Sequence, residues 1–431
     1  MISDGLAAAL QKRNIHYGWI VAGVTFLVML STAGAMGAGG VLIRPLEIEF
    51  GWTTAQISSA LAVRFALFGL IAPFAAAFMN YFGLRKVVTA ALLLIGGGVL
   101  ASLFMRELWQ LVALWGVVIG VGTGMTALVL GATVATRWFE KRRGLVVGLM
   151  TASNATGQLI FLPLLAMFSD AIGWRAALVF VAIMLLCGLT LALLFLRDRP
   201  SDLGLAPYGG TAMVPPPAET KRLSDLVTTP LLVLRDASRT SVFWVLFATF
   251  FVCGLSTGGL IQTHWISICG DAGIAPVAAA GMLAVIGGFD FIGTIVSGWL
   301  SDRYDNRYLL LAYYGLRGLS LLFLPYSGYS IAMLTVFAVF YGLDWVATVP
   351  PTVKLTAQHF GAEKASLAFG WVFAGHQIGS ATAAMLGGIA RTTLDTYTPA
   401  LLLAGVFCIL AALLILTIGK TAAPRLKPAT A

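Results

Sequence analysis

The sequence predicts an all-α membrane protein of twelve transmembrane helices in two pseudo-symmetric six-helix bundles. Two observations predict it. Asn80-Tyr-Phe-Gly83-Leu-Arg85-Lys86 recurs about 222 positions later as Asp302-Arg303-Tyr-Asp-Asn-Arg307, each copy a short, basic, turn-prone link between apolar stretches. Hydrophobic residues make up 59% of the chain against 10% charged, which leaves too little polar surface to cover a water-soluble core. The solvent is lipid, and with about twenty residues per crossing plus short loops, 431 residues hold about twelve helices.

Residues 1–16 carry Lys12 and Arg13 but no cleavable apolar core with a small-residue exit, so the first span reads as an uncleaved signal-anchor. Apolar runs between charges and turn residues then give spans at 17–41, 54–79, 87–105, 109–134, 145–168 and 176–196. The second set falls at 241–266, 276–300, 308–325, 329–353, 366–390 and 398–419. Between the sets, residues 197–240 hold Pro200, Pro207, Pro215, Pro216 and Pro217 among many charges, a polar linker with room for one short surface helix. The division is therefore an N-terminal bundle at 1–196, a linker at 197–240 and a C-terminal bundle at 241–431.

The net charge of +9 does not point to nucleic acid, because the basic residues sit in short inter-helix loops without interleaved aromatic residues. With both termini and the linker in the cytoplasm, the inside loops collect Lys12, Arg13, Arg85, Lys86, Arg137, Lys141, Arg142, Arg143, Arg303, Arg307 and Lys364. The outside loops keep Arg44, Arg106, Arg175 and Arg391. Cys187, Cys253, Cys269 and Cys408 show neither metal spacing nor a disulfide framework and read as small apolar residues. No ATP-binding loop, nucleophile elbow or metal motif appears, so neither an enzyme nor a cofactor is expected.

Spans in two halves, with a basic loop after the second span of each, resemble the major facilitator superfamily over nearly the whole length. His16-Tyr17-Gly18-Trp19 and Arg137-Trp138-Phe139-Glu140-Lys141-Arg142-Arg143-Gly144-Leu145 with Gly148 are similar to the monocarboxylate-transporter and oxalate/formate-antiporter branch. The resemblance implies secondary transport by alternating access in a bacterial inner membrane, by a monomer whose partners are a small anionic substrate, protons and the bilayer. The chain departs from the superfamily at Asn80, where an aspartate is usual. It departs from the monocarboxylate branch at Thr294, where an arginine is usual, and it lacks the exporter arginine between Leu111 and Thr126.

Charges inside the hydrocarbon region cost about 2.5–3.5 kcal/mol each, which makes Arg64, Asp290, Arg317 and Asp344 functional candidates. Arg64 lies in a span that, by the resemblance, lines the cavity, and its fork of donors suits a carboxylate; pairing with a backbone carbonyl or snorkelling to the interface is the competing account. Asp290, Arg317 and Asp344 share a depth of roughly 15 Å, which allows a triad in which Arg317 chooses between two carboxylates. A structural ion pair and a proton-coupling group both remain open there. Gly148 and Gly370 correspond between the halves, which sets Asn154 and Gln158 opposite His376, Gln377 and Ser380 as a midplane site. His376 serves as anion ligand, proton carrier or polar packing group. Gly83, Arg85, Asp302 and Arg303 form the loop motif at the gate.

Glycine-rich stretches at 33–40 and 116–124 read as close-packing surfaces. Pro350-Pro351 predicts a kink near the end of the tenth span that frees carbonyls at the cytoplasmic mouth, with Lys354 beside it at the gate or as an anchor. The leading function is proton-coupled uptake of a small organic anion, a carboxylate. The alternatives are an exporter of amphipathic or cationic compounds, with Asp290 and Asp344 as counter-charges, and a membrane sensor using the linker as output.

Overall fold

A computed structural model of the chain describes residues 2–210 and 223–419. Its long helices are α1 (Gly18–Phe50), α2 (Thr54–Tyr81), α3 (Leu84–Ser102), α4 (Leu108–Trp138), α5 (Arg143–Ala171) and α6 (Trp174–Phe195) in the first half. The second half holds α7 (Ser241–Asp271), α8 (Pro276–Ser301), α9 (Asn306–Tyr326), α10 (Ile331–Gly361), α11 (362–394) and α12 (Thr398–Thr417). Among the described residues, ten of these are long and apolar enough to cross a membrane. The other two, α5 and α11, are the ones that carry the polar residues singled out for the midplane site. Gly361, at φ 76°, separates α10 from α11.

The halves meet along two seams, α2 against α11 and α5 against α8. Glycine makes the first seam tight: a Cβ at Gly69 would sit 2.5 Å from Gln377 Cβ, and one at Gly388 would sit 2.6 Å from Ser58 Oγ. Where α1 finishes, a Cβ at Gly40 would lie 2.9 Å from the carbonyls of Gln262 and Thr263 of α7. Ala55 N donates to Thr392 Oγ1 at the same end, 3.1 Å. The expected glycine surfaces are present: Gly120 rests on the backbone of Arg64, and Gly116 and Gly124 on Val63 and Ile71.

The opposite end carries the basic loops. His16 Nδ1 accepts from Gly18 N (3.0 Å), which leaves the ring proton on Nε2 to reach Ala206 O (2.9 Å). Tyr17 Oη donates to Phe195 O, 2.8 Å. Tyr208 N then donates to Trp138 O, 2.8 Å, so the start of the linker clasps the α4–α5 loop. Further along, a surface helix, Asp225–Ala237, docks on α11 through Trp371 Nε1, which donates to Pro230 O at 2.9 Å.

The two loop motifs are built differently. Gly83, at φ 92°, leaves so little room that a Cβ would lie 2.5 Å from Asp198 Oδ2, and Asp198 Oδ1 accepts from Arg85 N at 2.7 Å. The Arg85 side chain reaches Leu193 O, and Arg137 Nη2 donates to Asn80 Oδ1, 2.6 Å. In the second copy, Lys354 of α10 pairs with Asp302 at 2.7 Å, while Arg303 lies over the Trp299 ring at 4.1 Å. Lys354 thus anchors α10 to the α8–α9 loop, and its hydrogen bond holds the Asp302 carboxyl below the usual carboxylate range.

Candidate functional site

Proline chemistry shapes the centre of the molecule. Pro350 and Pro351 cannot donate to the carbonyls four residues earlier, those of Val346 and Ala347. The regular helix accordingly stops at Asp344 and resumes at Val349. The kink is therefore one turn earlier and deeper than the sequence suggests, at mid-helix rather than at the mouth. Its backbone groups are not free. Val346 O accepts from Val349 N (2.8 Å), and Ala347 O accepts from Ser297 Oγ of α8 (2.5 Å).

The charged residues complete this accounting. Arg317 of α9 donates through Nε to Asp344 Oδ1 (2.6 Å), through Nη2 to the carbonyls of Asp344 and Trp345 (2.9 Å to the latter), and through Nη1 to Cys253 Sγ (3.0 Å). From the other side, Asp290 Oδ1 accepts from Val346 N (2.8 Å) and from Thr294 Oγ1 (3.1 Å). Of the two carboxylates in the expected triad, Arg317 meets Asp344 in this structure. Among the described residues, Arg317 forms its ion pair with Asp344, and Asp290 turns Oδ1 to the break in α10. α8 can come this close because Gly293 and Gly342 have no side chains: a Cβ at Gly293 would sit 1.9 Å from Leu343 O.

A cavity of about 500 Å³ lies between the halves. It reaches from mid-membrane, past Gly148, Trp299 and Pro350, toward the end with the basic loops. Phe65 and Phe68 of α2 and Phe250 of α7 supply its apolar wall, while Asp290, Thr294, His376, Gln377 and Ser380 supply polar groups. Such a mix of aromatic wall and few polar groups suits a small organic ligand. His376 stacks on Phe373 (5.8 Å) and accepts at Nδ1 from Gln377 Nε2 (3.2 Å). Asn154 and Gln158 belong to α5, but their side chains lie outside the described residues.

Arg64 is 2% exposed and is not among the residues that line the cavity, although Phe65 and Phe68 of the same helix are. Its guanidinium lies over the rings of Phe65 (5.1 Å) and Trp115 (5.8 Å). Its Nε and Nη1, and Trp115 Nε1 beside them, are buried without a hydrogen-bond partner among the described residues. Three donor nitrogens are thus left without an acceptor among the described residues. Arg317 is likewise absent from the cavity lining, whereas Asp290 reaches it.

Two features had escaped the sequence. Cys253, read as a small apolar residue, touches Arg317, the Thr348 hydroxyl (3.3 Å) and the cavity; nothing in its spacing signals this. The capping of the Val346 N–H by Asp290 carries a fainter signal: Pro350 and Pro351 mark a break in the span, although the groups they release directly are carbonyls.

The sequence profile described as Major Facilitator Superfamily matches residues 22–352 and 270–431. Monocarboxylate transporter 13 of Rattus norvegicus is 27% identical over 398 residues, covering 91% of this chain and 86% of its own. The uncharacterised MFS-type transporter YcxA of Bacillus subtilis is 23% identical over 376 residues, covering 86% of this chain and 88% of its own. In structure, the partially occluded inward-open conformation of the xylose transporter XylE from E. coli superposes with a TM-score of 0.70 at 14% identity, over 94% of this chain and 100% of that one. Its likeness concerns the fold. With a family profile matching nearly from end to end, and with the helices and central cavity such a fold requires, the chain belongs to the Major Facilitator Superfamily of membrane transporters.

Proposed function

We propose that the protein takes up a small organic anion, a carboxylate, together with protons, by alternating access in a bacterial inner membrane with its termini and linker in the cytoplasm. Arg64 carries the reading. A buried guanidinium that lies over the Phe65 and Trp115 rings, with Nε and Nη1 lacking a partner among the described residues, is costly unless an anion completes it. The substrate supplies that anion when rocking of the halves opens α2 to the cavity. His376 and Gln377 orient it from α11, with Asn154 and Gln158 opposite, and Asp290 carries the proton. Relatives named monocarboxylate transporters support the substrate class. Export of cations finds less support, because Asp344 is already paired and Asp290 already bonded.

The test is thermal stabilisation of purified protein by carboxylates, amines and sugars, followed by uptake in proteoliposomes. Carboxylates should stabilise the wild type. Arg64→Ala should lose this response, and Arg64→Lys should recover little of it because the ammonium lacks the guanidinium's fork of donors. Stabilisation by amines, or wild-type uptake in Arg64→Ala, would favour the cationic alternative. Orientation is checked separately, since a single cysteine in the linker should resist an impermeant reagent added to intact cells.

A further inference from the structure

The break in α10 puts one backbone donor at the cavity wall. Val346 lines the cavity, and its N–H has no intrahelical partner because the helix stops at Asp344. That N–H is held by Asp290 Oδ1 at 2.8 Å, and Asp290 itself is 7% exposed and lines the same cavity. A carboxylate already sits, in other words, on a backbone donor beside the ligand space.

We propose that the Val346 N–H is a binding site for the substrate's carboxylate, occupied by Asp290 until that side chain takes up a proton. The inference rests on the carboxylate reading above and adds an exchange to it. The ionised Asp290 makes a charge-assisted hydrogen bond that a second carboxylate cannot displace, because two anions would then share one donor. When a proton adds to an oxygen of Asp290, the side chain becomes a neutral and weaker acceptor. The N–H then turns to the incoming carboxylate, and the proton and the anion enter as a pair. No covalent bond other than that O–H forms, and the charge of the site is unchanged.

The surroundings fit this exchange. On the far side of the break, the Arg317 donors of α9 are committed to Asp344 and to two carbonyls, so they are not offered to a further anion. Cys253 of α7 and His376 of α11 line the same cavity as Asp290, and α5, packed on α8, carries Asp170 at its far end. Thr294 Oγ1 is the second donor to Asp290 and steadies its ionised form. Arg64 provides the grip of the first half, and the Val346 N–H that of the second.

The experiment measures binding of acetate, pyruvate and oxalate to purified protein between pH 5.5 and 8, and carries the tightest of them forward. In the wild type, binding should weaken by up to about tenfold per pH unit on the alkaline side, as expected for one linked proton. Asp290→Asn should bind at the acid-side affinity throughout the range. Replacing the Val346 peptide N–H by an ester oxygen, with every side chain kept, should weaken binding about tenfold or more at pH 5.5, since a hydrogen bond to a charged group is lost. Thr294→Val, a near-isosteric change, should carry tight binding to higher pH. If the ester variant binds as the wild type does while Asp290→Asn is pH-independent, Asp290 is a plain proton carrier and the Val346 site is refuted, with the carboxylate reading intact. If no carboxylate binds and amines do, both fall.

Discussion

Arg317 offers the sharpest test of what holds the centre together. If it were only half of an ion pair, removing both partners should restore stability, since a buried pair is often replaceable by apolar side chains. The structure gives it a second duty, because its Nη2 caps the carbonyls of Asp344 and Trp345. Arg317→Met then leaves a buried carboxylate unpaired, costing about 3–5 kcal/mol. It also leaves two carbonyls without donors, at about 1–3 kcal/mol each. The sum approaches the whole stability of a typical domain, so little folded protein is expected. Adding Asp344→Leu removes the first cost and not the second, so the double variant should fold yet remain about 2–6 kcal/mol less stable than the wild type. Unfolding by SDS titration in mixed micelles measures this. A double variant within about 1 kcal/mol of the wild type would refute the capping role and leave an ordinary ion pair.

Other consequences follow from single contacts. Gly293→Ala places a Cβ where Leu343 O now lies 1.9 Å away, so α8 and α10 must separate; lower thermal stability and slower transport are expected together. Asn80→Asp converts the 2.6 Å contact from Arg137 into a charge-assisted one and should raise stability by at most about 1 kcal/mol, with the gain shrinking in high salt on SDS titration. Asp302 is held below its ordinary value of 3.8 by Lys354, so the folded state binds this proton less readily than the unfolded one. Its tie to α10 is present at neutral pH and is lost as pH falls below about 4. Pepsin cleavage of the α8–α9 loop should therefore accelerate as pH falls below 3.8 toward the lowered value, and Asp302→Asn should show the faster rate already at pH 4.

Most of the architecture was legible because lipid imposes a long apolar signal on each span. The apolar run of the first span ends at 41, yet α1 continues through Pro45 to Phe50. It does so because Glu49 finds Arg175 (2.7 Å) and Trp174 Nε1 (2.6 Å), a gain that polarity along the chain cannot reveal. Depth was readable in the same way, which is why Asp290, Arg317 and Asp344 were grouped. Rotation was not: each residue turns a helix by about 100°, so equal depth does not decide which carboxylate Arg317 meets or whether Arg64 faces the cavity. Those choices were made by glycines, since Gly39 and Gly120 leave room for Arg64 away from the cavity and Gly293 lets α8 close on α10. Side chains at Asn154 and Gln158 remain expectations for the midplane site.

The repeat itself suggests why coupling should reside in the second half. Gly120 packs on Arg64 as Gly342 packs on Ile286, so these pairs occupy equivalent places. By the same register, Phe68 corresponds to Asp290 and Thr126 to Thr348. Both fourth helices are broken at that level: α4 is interrupted between Met125 and Leu128, and α10 between Asp344 and Val349. In the first half the break carries no charge, and Thr126 Oγ1 simply turns back to Thr123 O, 3.2 Å. In the second half it is clasped by Asp290 and Arg317. One duplicated design thus holds a titratable clasp on one side and, at the place of Ile286, an unpaired cation on the other. Under the proposed joint uptake of an anion and a proton, the anion would neutralise Arg64 while the proton would release Val346.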